Sequence, residues 1–122
     1  MEYVPGVCNI GGEEIRYRRN FGWFSLALTV VLFLLMMTTG IGRWWRLTLF
    51  LPATMSAYGF IQARSKFCAG FAQRGLFNFG PLGGTSKVED EEYRSKDRRK
   101  GLQITAYSWT VGAAVALVSL LA

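Results

Sequence analysis

The sequence predicts an all-α integral membrane protein with three transmembrane helices and an interfacial helix or turn after the second. Three observations predict it. Residues 21–40, FGWFSLALTVVLFLLMMTTG, carry no charge, and neither do residues 102–122, LQITAYSWTVGAAVALVSLLA. At a rise of about 1.5 Å per residue, roughly twenty apolar residues cross a hydrocarbon core of about 30 Å. The third observation is compositional: 51% of the 122 residues are hydrophobic and the mean hydropathy is +0.21, which separates the chain from the soluble class.

The elements follow in order as one membrane domain. Residues 1–20 form an N-terminal segment in which NIGGEEIRYRRN opens on turn residues and then places Glu13 and Glu14 in the first turn of a helix. Carboxylates there favour the positive end of the helix dipole. Arg16, Arg18 and Arg19 follow at the boundary of the first span, residues 21–40, with Trp23 just inside it. Basic and aromatic residues at such a boundary act as lipid-interface anchors. This opening is too long and too mixed in charge for a signal peptide, so the first helix is expected to stay in the mature protein.

Residues 44–61, WWRLTLFLPATMSAYGFI, are the second span. Arg46 lies in its first turn, from which its side chain can reach the headgroups, and Pro52 is tolerated where neighbouring helices satisfy the freed carbonyl. A re-entrant or surface-lying helix is the other reading of this segment. Arg43, Trp44, Trp45 and Arg46 are the anchors at that interface.

Residues 62–101 are expected to form an interfacial segment and charged loop before the third span, residues 102–122. If the second helix continues, Phe67 and Phe71 stack at i, i+4 beside Cys68, and Gly75 ends the helix. LFNFGPLGG then makes an irregular turn, and KVEDEEYRSKDRRK a short helix with a solvated charged face.

Charge sets the orientation. Twelve Lys and Arg residues fall before the first span or between the second and third, against Arg43 and Arg46 alone between the first and second. The positive-inside rule therefore predicts a cytoplasmic N-terminus and an outward C-terminus. The same bias accounts for the net charge of +6 through lipid contacts. It requires no nucleic acid. GPLGG is not followed by the helix and paired lysine of a phosphate-binding loop.

The chain contains no histidine, which removes the commonest general base and metal ligand and any Ser-His-Asp or Cys-His arrangement within it. No ionisable residue lies deep inside a span, as a proton pump or ion carrier would need. Cys8 and Cys68 fall on the same, cytoplasmic side. In a reducing compartment they form a candidate thiol site, with Arg64, Lys66 and Arg74 as basic neighbours of Cys68. The other reading of Cys68 is a small buried hydrophobe. No metal site or cofactor is expected.

The layout resembles the small inner-membrane domain fused to, or found beside, rhodanese-type sulfurtransferases. The residues that carry the likeness are Asn9 to Gly11, the cluster Arg16, Arg18 and Arg19, a second span ending near Gly59, and Cys68 shortly after it. It is also similar to longer bacterial membrane proteins in which a QAR-x3-C stretch, here Gln62-Ala63-Arg64 then Cys68, leads toward an N-F-G-like segment and a third helix. The resemblance implies a bacterial inner-membrane protein. Only Cys68 matches by position for any sulfur chemistry, and the sulfurtransferase domain itself is missing.

The expected role is a non-enzymatic accessory or scaffold subunit that meets the lipid bilayer and a membrane-protein partner or further copies of itself. The alternatives are a redox or persulfide relay using Cys8 and Cys68, and a small channel or transporter lined by hydroxyls such as Thr38, Thr54, Ser56 and Ser108.

Overall fold

The computed structural model describes residues 2–121. It is mostly helical. Helix α1 (Gly12–Thr39) merges the expected N-terminal helix with the first apolar run and stops where Gly40 takes a left-handed conformation, φ 70°. After a short turn, a 3-10 helix (Arg43–Leu49) runs directly into α2 (Phe50–Ser65). Pro52 marks the changeover: it stands in the first α turn, where a missing N–H removes no α-type bond. Helix α3 (Ala69–Arg74), a two-residue antiparallel pair β1 (Leu76–Phe77) and β2 (Ser86–Lys87), and helix α4 (Glu91–Ser119) complete the described chain.

Helix α2 is the central element. It packs antiparallel to α1, since Ser56 donates to the Gly22 carbonyl while the Arg46 guanidinium, from the other end, lies over the Phe33 ring. It is also antiparallel to α4: Tyr58 meets Thr105, Thr54 meets Gly112, and Arg46 Nη1 donates 2.9 Å to the Ser119 carbonyl. The contact faces carry small residues: Gly22, Ser25 and Thr29 on α1, Ala53, Ser56 and Gly59 on α2, and Ser108, Gly112 and Ala116 on α4. Close backbone approach follows. A Cβ on Gly59 would lie 2.7 Å from the Arg18 carbonyl oxygen and 2.8 Å from Gly22 N. Small-residue contact of this kind lets helices associate by packing where lipid leaves no hydrophobic drive between them.

Apolar side chains face outward along the same helices, among them Phe24, Leu28, Val31 and Leu35 on α1 and Tyr107, Val111, Leu117 and Val118 on α4. Helices α1 and α4 are long and apolar enough to cross a membrane. The α-helical part of the second segment, at 16 residues, falls short of the roughly twenty that a span needs.

Two sequence expectations are corrected at the end of the bundle that holds the N-terminal segment. Helix α2 does not continue past Ser65, because Lys66 turns left-handed at φ 56° and α3 starts afresh after Cys68. Phe67 and Phe71 therefore part company. Phe67 packs with Ala69, Ala72 and Ile104, and Phe71 with Ile10, Ile15, Ala63 and Cys68. Gly75 does end α3, at φ 69°. The charged run and the last apolar run are not separate elements either. From Glu91 on they form the single 29-residue helix α4, whose start is capped by Asp90 Oδ1 accepting from Glu92 N at 2.8 Å, while Lys87 belongs to β2.

Candidate functional site at the polar end of the bundle

The break between α2 and α3 positions Cys68. The Phe67 amide donates back to the Gln62 carbonyl at 3.0 Å, and Gln62 Oε1 accepts from Ala69 N at 2.9 Å. Asn9 clamps the peptide from the other side. Its Nδ2 donates to the Cys68 carbonyl at 3.1 Å and its Oδ1 accepts from Cys68 N at 2.6 Å, while its own amide donates to the Lys66 carbonyl. The side chain of Asn9 thus acts toward Cys68 as a paired strand would. Both residues are buried.

Two donors converge on the sulfur. Arg18 Nη2 lies 2.9 Å from Cys68 Sγ, and Phe71 N, in the first turn of α3, lies 3.4 Å from it. Arg18 is held in turn: its Nη1 pairs with Glu14 Oε2 one turn back on α1, and its guanidinium stands 5.3 Å from the centre of the Phe71 ring. Glu14 Oε1 accepts from Asn78 Nδ2 at 3.0 Å, and Asn78 is fixed by backbone bonds to Asn9 and Gly11. The result is a buried polar chain, Asn78–Glu14–Arg18–Cys68–Asn9, that ties together the N-terminal segment, α1, the α2–α3 break and the loop after β1. Burial acts to lower the Arg18 pKa, but its interactions with Cys68 and Glu14 outweigh that and raise it. The guanidinium is a fixed charge.

A second polar contact lies nearby. The Pro5-Gly6 turn, with Gly6 at φ 71°, presents Gly6 N to Asp97 Oδ1 at 2.8 Å, and the Tyr3 hydroxyl donates to Asp97 Oδ2 at 2.6 Å. Asp97 is fully buried, so the charged run of α4 is not solvated throughout. Burial, then the hydrogen bond and the charge of Asp97, raise the Tyr3 pKa well above its ordinary 10.0.

The predicted site residues divide. Cys68 is buried at 6% exposure, whereas Cys8 is half-buried and its Sγ donates to the Glu2 carbonyl at 3.1 Å. Both thiols are free. Arg64 and Lys66 are exposed, and Arg74 lies over the Phe71 ring at 5.8 Å, so the cation that touches Cys68 is Arg18 instead. Of the expected lipid anchors, Arg16, Arg19, Trp23, Arg43, Trp44 and Trp45 are exposed. Arg18 and Arg46 turn inward, the first to Glu14 and Cys68 and the second to the Ser119 carbonyl at the end of α4.

Sequence reasoning missed Asn9, Glu14 and Asn78 as one cluster, and Tyr3 with Asp97. The i, i+4 spacing of Glu14 and Arg18 was a usable signal. So was Pro5-Gly6, a turn that brings the N-terminal segment back on itself.

Among the described residues no group of three or more His, Cys, Asp or Glu side chains could hold a metal ion. Of the hydroxyls expected to line a channel, Thr38 and Thr39 bond to the Leu35 carbonyl, Ser56 to that of Gly22 and Ser108 to that of Ile104, while Thr54 Oγ1 is buried with no partner among the described residues. Fold and site together define a small helical bundle with two helices apolar enough for a membrane and a buried arginine–thiol cluster at one end. No family model matches the chain, and neither a curated protein nor a solved structure matches it.

Proposed function

We propose that the chain is a non-enzymatic integral membrane protein that crosses the bilayer three times and serves as an accessory or scaffold subunit of a larger membrane assembly. The observation that carries this reading is the division of its surface. Apolar side chains face outward along α1 and α4, while the buried polar groups of the opposite end bond to one another. The third crossing is supported by register: contacts of the second segment run from Gly59 beside Arg18 to Arg46 beside Ser119. The 3-10 and α parts together make 7 and 16 residues, a length of roughly 38 Å. The cation count favours a bacterial inner-membrane orientation with the Cys68 end in the cytoplasm.

Alkaline carbonate washing of membranes, followed by light scattering of the protein extracted in mild detergent, tests both parts. The chain is expected to stay in the membrane and to run in a complex heavier than its own 13.7 kDa. Release by carbonate, or a monomer that turns over a substrate unaided, overturns the reading.

The thiol relay is the second reading, favoured by the two donors on Cys68 Sγ. It requires Cys68 to meet a second sulfur. In folded protein a maleimide is expected to label Cys8 and spare Cys68 until denaturation; rapid labelling of Cys68, or a persulfide on it by mass spectrometry, favours the relay.

A further inference from the structure

A polar cleft of about 310 Å³ opens between α3, β2 and α4, lined by Gln73, Arg74, Gly75, Lys87, Arg94 and Arg98. Its four cations come from three elements. The tight turn at Gly75 brings them together: Val88 N donates to the Gly75 carbonyl at 2.7 Å, which sets β2 and Lys87 against the end of α3, and Arg94 Nε is fixed on the Val88 carbonyl. Only one carboxylate answers them. Glu91 lies 3.7 Å from Arg94 and 3.3 Å from Arg98, while among the described residues neither Arg74 nor Lys87 has an acidic partner within ion-pair distance. Cations held together by the fold with three positive charges in excess form a site for an anion.

Height identifies the source of that anion. Arg98 precedes the uncharged stretch at Leu102 by four residues of continuous helix, or about 6 Å. The headgroup layer is roughly 5–7 Å thick on each side of the hydrocarbon core. Arg98 and the floor of the cleft therefore stand at the level of lipid phosphates, with Arg94 one turn above them. Arginine adds geometric fit, because its fork matches a phosphate's paired oxygens.

We infer that the Arg74–Lys87–Arg94–Arg98 cleft binds the phosphate headgroup of an anionic phospholipid. The inference rests on the membrane reading above, and its test is separable from it. Protein in neutral micelles is offered phosphatidylglycerol, phosphatidylcholine or inorganic phosphate, and bound lipid is counted by native mass spectrometry. The wild type is expected to retain phosphatidylglycerol over phosphatidylcholine. Arg74→Gln with Lys87→Gln lowers that preference about 25-fold, and the exposed Lys87→Gln alone lowers it about fivefold. Arg16→Gln with Arg19→Gln removes the same charge from the outer face of α1 and leaves most of the preference. Equal loss in both double variants, or no loss in either, overturns the site. Binding of inorganic phosphate without phosphatidylglycerol overturns the lipid assignment. A chain that resists carbonate but shows no headgroup preference sinks this inference and leaves the membrane reading standing.

Discussion

Arg18 and Cys68 lie fifty residues apart in the chain and 2.9 Å apart in space. The contact is one link in a buried series, so its removal is felt at Glu14 as much as at the sulfur. Arg18→Gln leaves the Glu14 carboxylate, which is 4% exposed, without its counter-charge. Breaking a buried pair from one side costs about 3–5 kcal/mol, and the loss is expected in thermal melts of the protein in micelles. Adding Glu14→Gln to the same chain restores a good part of it. A double variant as unstable as the sum of the singles refutes the pairing.

Asn9→Ala removes both side-chain bonds to the Cys68 peptide; the Cys68 carbonyl keeps its bond from Ala72 N, and the buried Cys68 N–H is left unpaired. The expected cost is about 1–3 kcal/mol per group left unsatisfied. Cys68 should then label faster with a maleimide than in the wild type. Unchanged labelling means that Asn9 does not control access to the thiol.

Gly112 and Thr54 set the spacing of α2 and α4. A Cβ on Gly112 overlaps Thr54 Oγ1 and comes within 3.0 Å of the Phe50 carbonyl oxygen. Gly112→Ala is expected to destabilise by about 1–3 kcal/mol, the usual cost of overpacking. Thr54→Ala in the same chain recovers part of this by removing the hydroxyl. If the two substitutions simply add, the helices do not meet there.

Thr54 Oγ1 is also buried without a hydrogen-bond partner among the described residues. Thr54→Val keeps the shape and removes the unsatisfied oxygen, so it should be neutral or stabilising by up to about 1 kcal/mol. A clear loss of stability indicates a partner for that hydroxyl, which a water-accessible interior would provide.

The Tyr3–Asp97 contact makes stability pH-dependent on the alkaline side. Because the folded-state pKa of Tyr3 is raised above its ordinary 10.0, its contribution is fully present below pH 10. It declines above that point, as the unfolded chain ionises first and the folded chain resists. Tyr3→Phe is expected to be less stable at neutral pH, with the gap to wild type closing as pH rises beyond 10. Melting profiles across that range check it. A gap that stays constant removes Asp97 from the account.

The apolar helices were legible because a charge-free run of twenty residues has few other uses. The end around Cys68 was harder to read. Whether α2 continued past Ser65 turned on Lys66, a residue with no special liking for the left-handed conformation it adopts. That conformation is fixed by Asn9 N reaching its carbonyl from 57 positions upstream. Asp97 was hidden for a related reason: within SKDRRK it looks like one more solvated charge, and only the returning Pro5-Gly6 turn buries it. Local pattern reports local structure, and this cluster is assembled from distant pieces.

Those distant pieces also impose an order on biosynthesis. Tyr3 leaves the ribosome 94 residues ahead of Asp97, and Asn9 leaves 59 ahead of Cys68. At about 5–20 residues per second, Tyr3 waits on the order of 5–20 s for its acceptor. By the end of that interval α1 is complete and Asn9 can already meet Lys66, Cys68 and Asn78, while the Tyr3 end of the strap still lacks its acceptor. The emergence of the first turns of α4 is the event that fastens that end, so a stall or truncation before Asp97 delivers a chain whose Tyr3 and Gly6 have no acceptor.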